Sequence, residues 1–283
     1  MCAFQPGSTG TFSLSVVSYL RVAFARTGML EARGLTKSYA SIPAVKDVTF
    51  SLSPGQVLGC LGPNGSGKST TVKMLTGLLE PTRGKVLFNG EDIHKDLVGF
   101  RKSLGYVPEE PNLYPYLSGR EYLEMVGILR GMPGSRLENK IDTLLDLFSL
   151  RPHRHGSMGS YSKGMRQRIL LIAALMDDPQ VLIFDEPLSG LDVTTALVLK
   201  NLIKALGHKG RAIFYCSHVL EVVEQVCSHL LILRKGDVIA YDKTEAIQND
   251  IEHSSLEHTF MHLVEEVDTD KVSREIITAM EAA

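Results

Sequence analysis

The feature that most constrains this chain is a glycine-rich loop set between a strand pattern and a helix pattern. The segment Gly62–Ser69 reads GPNGSGKS and fits GxxxxGK[ST]. The apolar run Val57–Leu61 precedes it, and the helical pattern Ser69–Leu78 follows it. In this context the glycines let the backbone curl so that successive N–H groups face phosphate oxygens at a helix N-terminus. The sequence therefore predicts an α/β protein with a phosphate-binding loop.

Each residue of the loop has an expected part in that site. The Lys68 ammonium is expected to reach the β- and γ-phosphates of a nucleotide, and the Ser69 hydroxyl is expected to ligate Mg²⁺. The remaining positions of the nucleotide site are Gly62, Pro63, Asn64, Gly65, Ser66, Gly67 and Thr70. The alternative is a glycine-rich turn that binds nothing, and the strand and helix on either side of the loop argue against it.

A pair of carboxylates follows a second apolar strand. The run Val181–Phe184 ends in Asp185 and Glu186. In folds with a phosphate loop such a strand end lies near the loop, so Asp185 is expected to hold Mg²⁺ through water. Glu186 is expected to be free to face the γ-phosphate and to act as general base toward water, a role worth roughly 10²–10⁴ in rate. Two solvated acids are the alternative, but they would leave the loop unexplained.

Two short tracts raise the alternative of a GTPase. The tract Asp96–Gly99 fits DxxG, and the tract Asn139–Asp142 fits NKxD. In a GTPase each tract closes an apolar strand. Here the first tract follows the polar segment Asn89–Lys95, and the second lies inside an amphipathic helical pattern. Chance occurrence explains both tracts better.

Composition excludes several other classes of protein. The 283 residues carry a formal net charge of −2, with 44% hydrophobic and 22% charged residues, which is typical of a globular chain. A nucleic-acid binder would carry a basic excess, so no nucleic-acid partner is expected. The cysteines lack CxxC spacing and are expected to be reduced thiols rather than a disulfide frame or zinc site; they are Cys2, Cys60, Cys216 and Cys227. No stretch approaches the roughly 20 apolar residues that cross a bilayer.

The chain divides into an extension, an α/β domain and a tail. Residues 1–29 contain no Asp or Glu and are expected to be disordered or to precede a functional start at Met29, with a targeting presequence as the alternative. Strand and helix patterns alternate through residues 30–243, with a helical insertion at about 110–165, and residues 244–283 read as a polar helical tail. The predicted strands are Leu30–Tyr39, Ala44–Ser51, Val57–Leu61, Lys85–Asn89, Val181–Phe184, Ala212–Cys216, Leu230–Leu233 and Val238–Tyr241. The predicted helices are Ser69–Leu78, Gly119–Leu129, Leu137–Leu150, Gly164–Met176 and Thr194–Leu206.

Five motifs in a fixed order carry a resemblance to one family. They are the phosphate loop, Tyr161–Arg168, Asp185-Glu186, Ser189–Asp192 and His218. Together they resemble the nucleotide-binding domain of ABC transporters, over about Leu30 to Tyr241. The resemblance implies a P-loop NTPase core of the ABC type with an antiparallel β subdomain and a helical insertion. It also implies that Ser162 and Gly164 bind, in trans, the γ-phosphate of ATP held by another subunit.

Further positions carry over by the same resemblance. Tyr39 matches the aromatic residue that stacks on adenine, although a strand-edge tyrosine is the alternative. His218 matches a histidine that contacts the γ-phosphate, and Ser189–Asp192 matches a loop that touches the opposite subunit. Glu109 departs from the family pattern because Gln is usual there, and it is still expected to sense Mg²⁺ or the attacking water. A second departure is Tyr161–Met165, where LSGGQ has become YSKGM.

The resemblance implies an ATPase that binds ATP and Mg²⁺ and powers transport through separate transmembrane permease subunits from the cytoplasmic face of the membrane. It implies a second ABC ATPase subunit, identical or closely homologous. The tracts Pro108–Pro111, Leu113–Pro115 and Tyr161–Arg168 look most similar to ATPases of ABC-2-type exporters. The segment Tyr114–Gly131 is expected to form the docking face for a membrane subunit, with an apolar surface made of Tyr114, Tyr116, Leu117, Tyr122 and Met125. These side chains would otherwise pack within the helical insertion. The alternative is a soluble ABC ATPase that acts on protein partners, such as one serving iron–sulfur-cluster assembly.

Overall fold

The computed structural model describes residues 29–249 and 269–281, which form two β-sheets with helices around them. The strands are β1 Leu30–Tyr39, β2 Ile42–Leu52, β3 Val57–Leu61, β4 Arg83–Phe88, β5 Glu91–Asp92, β6 Leu104–Val107, β7 Val181–Asp185, β8 Ala212–Cys216, β9 His229–Arg234 and β10 Asp237–Lys243. The helices are α1 Lys68–Leu75, α2 Leu97–Lys102, α3 Gly119–Leu129, α4 Gly134–Leu147, α5 Lys163–Leu175, α6 Val193–His208, α7 Leu220–Val226, α8 Thr244–Asn249 and a C-terminal helix Thr269–Glu281. The predictions for residues 1–28, Cys2 included, lie outside the described residues.

The larger sheet places three buried strands side by side. Its order is β10-β9-β3-β8-β7-β6, with β10 antiparallel to β9 and the other strands parallel. Every residue of β3, β7 and β8 is buried. Strands of this kind read as continuous apolar runs because both faces of the sheet are covered. Since parallel strands end at the same edge, the loops after β3, β7 and β8 meet there.

The smaller sheet is antiparallel, in the order β2-β1-β4-β5. A two-residue turn joins β1 to β2, and both of its residues have positive φ, 45° at Ala40 and 70° at Ser41. Positive φ at both positions is what a type I′ hairpin turn requires. Tyr39 pairs with Ile42 across this turn, so Tyr39 lies at the tip of the hairpin.

Three groups of buried apolar side chains hold the elements together. One fills the space between the two sheets, where Phe50 stacks on Phe214 with ring centroids 5.6 Å apart. A stacked pair of this kind contributes about 0.5–1.5 kcal/mol beyond its area burial. A second group covers the other face of the larger sheet and includes Leu171 and Leu199. The third group joins α3, α4 and α5, so the helical region has a core of its own.

Several boundaries differ from those predicted. Helix α1 ends at Leu75 rather than Leu78, because Gly77 has φ 66° and cannot continue the helix. Helix α4 lies three residues earlier than predicted, starting after Pro133 and ending before Ser149, which has φ 55°. Strands β5 and β6 and helices α2 and α7 were not predicted, since each is too short to show a clear period.

The two GTPase-like tracts have structural roles. Asp96 caps α2, and its carboxylate accepts a hydrogen bond from the Gly99 N–H at 2.8 Å. Asn139 and Asp142 lie within α4, and Asp142 forms an ion pair with Arg120 of α3 at 2.5 Å. Neither tract closes a strand, in agreement with the sequence reasoning.

The predicted fold class is confirmed as an α/β core with an antiparallel sheet and a helical insertion. Cys60, Cys216 and Cys227 are buried free thiols, as predicted for these three. Within residues 29–249 and 269–281, no helix has the length and apolarity needed to cross a membrane.

Candidate functional site

The glycine-rich loop is braced by two neighbouring segments. Gly67 has φ 105°, and a Cβ added there would lie 2.7 Å from the carbonyl oxygen of Ala44 in β2. Only glycine therefore fits this position. The Gly236 N–H donates to the Ser66 carbonyl at 3.1 Å, and the Lys46 N–H donates to the Gly236 carbonyl at 2.8 Å. The loop is thus held between β2 and the turn that joins β9 to β10.

Lys68 is the first residue of α1, and its side chain folds back over the loop. Its ammonium donates to the carbonyl oxygens of Gly62 at 2.5 Å and of Pro63 at 3.2 Å. The N–H groups at the start of a helix have no intrahelical partners and form an anion site together with such a cation. Ser69 and Thr70 follow in the first turn, the former exposed and the latter half-buried.

Asp185 ends β7 and is almost fully buried. Burial raises the pKa of its carboxyl to about 6, and the negative charges of Glu109 and Glu186 contribute to the rise. The charges of Lys68 and Lys73 oppose it. These mutual effects show that the structure brings the phosphate-loop lysine and the three carboxylates into one electrostatic neighbourhood.

Glu186 has an uncommon backbone conformation and a fixed side chain. Its φ is 48°, and its N–H donates to the Cys216 carbonyl at 3.0 Å. Its carboxylate accepts hydrogen bonds from the His218 N–H at 2.7 Å and from the Ser217 hydroxyl at 3.1 Å. The His218 Nδ1 also lies 2.7 Å from Glu186 Oε1. Groups that follow β8 therefore orient the Glu186 carboxylate.

Two residues of this site were missed by sequence reasoning. Ser217 donates to Glu186, and Lys73 of α1 acts electrostatically on Asp185. Ser217 could have been found, because it lies between a buried strand and His218. Lys73 lies inside a helix and carries no such signal, since its approach to Asp185 depends on how α1 packs against β7.

Tyr39 and Glu109, both predicted site residues, are exposed. Tyr39 is 50% exposed, and the Lys37 ammonium lies 5.9 Å from its ring centroid. The hairpin that carries Tyr39 continues along β2 to Ala44, which contacts the phosphate loop. Glu109 is exposed and close enough to raise the pKa of Asp185. Both side chains are therefore accessible to a ligand from solvent.

The segment around Ser162 starts α5. The Ser162 hydroxyl accepts a hydrogen bond from the Met165 N–H at 3.2 Å, so Ser162 is the N-cap of this helix. Ser162 is exposed. Gly164 lies against the Gly190 carbonyl, since an added Cβ would be 2.4 Å from that oxygen. The helix start therefore presents a hydroxyl and free N–H groups to solvent while it packs on the chain that follows Glu186.

Two oxygen-bearing side chains, one in α1 and one at the end of β7, suit a hard divalent cation. The Ser69 hydroxyl and the Asp185 carboxylate offer oxygen ligands, which Mg²⁺ prefers. The carboxylates of Asp185, Glu186 and Glu109 also crowd negative charge that a cation would neutralise. In the described residues, no three His, Cys, Asp or Glu side chains form a metal site by themselves. A cation here would thus need phosphate oxygens and water to complete its coordination.

Comparisons with known proteins agree with this geometry. The ABC transporter family matches residues 45–189. The chain is similar to the ABC transporter ATP-binding protein NatA of Bacillus subtilis, with 32% identity over 78% of this chain and 90% of that protein. It is similar in structure to an ATP-binding subunit of an ABC transporter, with a TM-score of 0.79, 31% identity and coverage of 83% and 99%. It is also similar to the dimeric ATP-binding cassette MJ0796 bound to ADP and Pi, with a TM-score of 0.69, 25% identity and coverage of 76% and 98%.

The fold and the site define an ATP-binding cassette, with a phosphate loop after β3 and two carboxylates at the end of β7. The chain belongs to the ATP-binding proteins of ABC transporters, which are ATPases.

Proposed function

We propose that this chain is the ATP-hydrolysing subunit of a transporter whose membrane spans belong to separate permease subunits. The observation that carries the proposal is the meeting of Lys68, Asp185 and Glu186 at the ends of β3 and β7. In a family of transporter ATPases, this arrangement supports ATP turnover coupled to movement of a partner. The chain would act at the cytoplasmic face of the membrane, through its permease subunits.

Different residues of the chain bind the phosphates, the cation and the adenine of MgATP. Lys68 binds the β- and γ-phosphates together with the N–H groups of the loop Gly62–Gly67. Ser69 and Asp185 would hold Mg²⁺, Asp185 through water, and the cation would neutralise phosphate charge. Tyr39 stacks on the adenine from the hairpin tip. Its exposed ring and its neighbouring Lys37 cation suit such a role.

Glu186 accepts the proton of the attacking water. The N–H of His218 and the hydroxyl of Ser217 orient its carboxylate by hydrogen bonds, which favours one position of the base. The His218 ring is 76% exposed and can turn from Glu186 toward a γ-phosphate. Glu109, the third carboxylate near Asp185, would contact Mg²⁺ or the attacking water.

We further propose that two copies, or two close homologues, complete each other's sites. Ser162 and Gly164 sit at an exposed helix start, which suits an anion held by another chain. An isologous pair, in which the same surfaces meet on both subunits, would bury two such sites. The similar cassette MJ0796 is dimeric, which supports this arrangement.

Mixing two inactive variants tests the shared site. Lys68→Ala removes the phosphate cation. Ser162→Asp keeps an N-cap oxygen but sets a negative charge against phosphate. Each variant alone should be inactive, while an equal mixture should regain about a quarter of the wild-type rate, because half of the dimers hold one intact site of two. The shared site is refuted if mixing restores no hydrolysis, or if the wild-type rate is strictly first order in protein.

The docking face for the permease is proposed within Tyr114–Gly131. Tyr114 and Tyr116 are 60% and 93% exposed, so two large aromatic side chains face solvent within three residues. Aromatic enrichment is typical of protein–protein interfaces. Leu117, Tyr122 and Met125 were expected to share this face, but Leu117 and Tyr122 pack against the core of the helical region. The proposed surface is therefore centred on the two exposed tyrosines.

Membrane fractionation tests this surface. Tyr116→Glu should release the protein from membranes that contain its permease and leave ATP binding unchanged. Leu147→Glu is a matched control, since Leu147 is 73% exposed on another part of the helical region. If the Tyr116 variant remains on the membrane, the tyrosines do not dock.

The tracts resembling ABC-2-type exporters lead us to propose export as the direction, which transport into inverted vesicles would test.

A further inference from the structure

The chain that follows Glu186 forms a compact turn, Glu186–Leu191, which we call the carboxylate turn. The Ser189 N–H donates to the Glu186 carbonyl at 3.1 Å, and the Leu191 N–H donates to the Leu188 carbonyl at 3.1 Å. The position of this turn therefore influences the backbone of Glu186 directly. The residue is already in a left-handed conformation that most residues avoid.

One face of α5 holds the carboxylate turn by backbone approach and by a buried side chain. The Gln167 Nε2 donates to the Pro187 carbonyl at 3.2 Å, and Gln167 is fully buried. Gly164 comes so close to the Gly190 carbonyl that a Cβ would clash. These contacts fix α5 against the turn over one helical turn of length.

Lys163 adds a third contact, through both parts of its side chain. Its methylene groups cover Gly190, since a Cβ built on Gly190 would lie 3.0 Å from Lys163 Cγ. Its ammonium donates to the Ser189 hydroxyl at 2.7 Å. A lysine commonly uses its apolar stem and its charged end on different partners in this way. The position is a glycine in the LSGGQ pattern, which could make neither contact.

We propose that Lys163 is a positioning residue that links the two nucleotide sites of the assembly. Resting on the proposed function, Ser162 binds the nucleotide of the other subunit, and Glu186 activates water at the nucleotide of its own chain. Lys163 lies directly after Ser162, and its ammonium donates to Ser189 in the carboxylate turn that begins at Glu186. Nucleotide bound at the start of α5 thereby fixes the turn, and with it the catalytic carboxylate of the same chain.

This role predicts an effect on turnover rather than on affinity. The Lys163 ammonium is engaged by Ser189, so removing it leaves the nucleotide contacts of Lys68 and Ser162 in place. Lys163→Met keeps the stem over Gly190 and removes the cation. Ser189→Ala removes the acceptor. Each change should lower kcat about three- to tenfold, the effect of losing one solvent-exposed hydrogen bond.

The experiment measures kcat, KM and the MgATP dissociation constant of both single variants and of the double variant. We expect KM and the dissociation constant within about twofold of wild type. The double variant should lose no more than the larger single loss, because one contact is removed in each case. Lys163→Arg, which keeps stem and charge, should restore most of the rate. Lys204→Met, an exposed lysine substitution on α6, is the control and should leave kcat unchanged.

Three results would overturn the inference. The first is a Lys163→Met enzyme with wild-type kcat. The second is additive losses in the double variant, which would mean that Lys163 and Ser189 act separately. The third is an equal loss of affinity, which would make Lys163 a nucleotide ligand. A wild-type protein without MgATP hydrolysis would overturn the proposed function and this inference together, whereas the other results leave the proposed function standing.

Discussion

Replacement of Glu186 by Gln is the most informative perturbation of the site. The carboxylate sits at the end of β7, where it accepts hydrogen bonds from the His218 N–H and the Ser217 hydroxyl. Glutamine keeps an oxygen for the His218 N–H, and the Ser217 hydroxyl can rotate to accept from the new amide. The free energy of unfolding should therefore change by less than about 1 kcal/mol.

The effect on the reaction should be far larger. An amide cannot take the proton of the attacking water, so kcat should fall about 10²–10⁴-fold. This fall corresponds to about 2.7–5.4 kcal/mol added to the barrier. Lys68 and the loop that bind phosphate are untouched, so MgATP affinity should remain and a long-lived ATP-bound dimer should accumulate.

Phosphate release measures the rate, equilibrium dialysis measures the affinity, and gel filtration with ATP measures the dimer. Glu138→Gln is the matched control, because Glu138 lies on the exposed face of α4. This variant should hydrolyse ATP at the wild-type rate. A Glu186 variant that keeps its fold and hydrolyses ATP within about threefold of wild type would show that Glu186 is not the base.

Two further predictions concern the loop. Lys68→Ala should abolish tight MgATP binding in equilibrium dialysis, because it removes the cation from the mouth of the loop, and retained micromolar affinity would refute the assignment. Gly67→Ala should destabilise the fold by about 2 kcal/mol or more in urea unfolding, because its Cβ would meet the Ala44 carbonyl at 2.7 Å. A Cβ at Gly65 would meet open space, so Gly65→Ala should lower the free energy of unfolding by about 1 kcal/mol or less. Equal losses of stability in the two variants would contradict the close approach at Gly67.

Much of the site could be predicted because its functional residues lie in short segments of the sequence. The loop from Gly62 to Ser69 combines glycines, a lysine and a hydroxyl at a spacing that serves phosphate binding. The strands β3, β7 and β8 are apolar throughout, and burial on both faces explains this. The ends of the helices were harder to predict. Helix α4 begins after Pro133 and ends near Ser149, which has positive φ, and hydrophobic periodicity marks neither position.

The sequence by itself determined the phosphate loop, the carboxylate pair and the α/β class, because each depends on residues close together in the chain. Only the tertiary structure decided which groups surround Glu186. Strand β8 lies between β3 and β7, although it follows both in sequence, and this order brings Ser217 and His218 to the carboxylate. The packing of α5 on the carboxylate turn likewise joins Lys163 to Ser189 across 26 positions. Such contacts depend on strand order and helix packing, which local spacing does not encode.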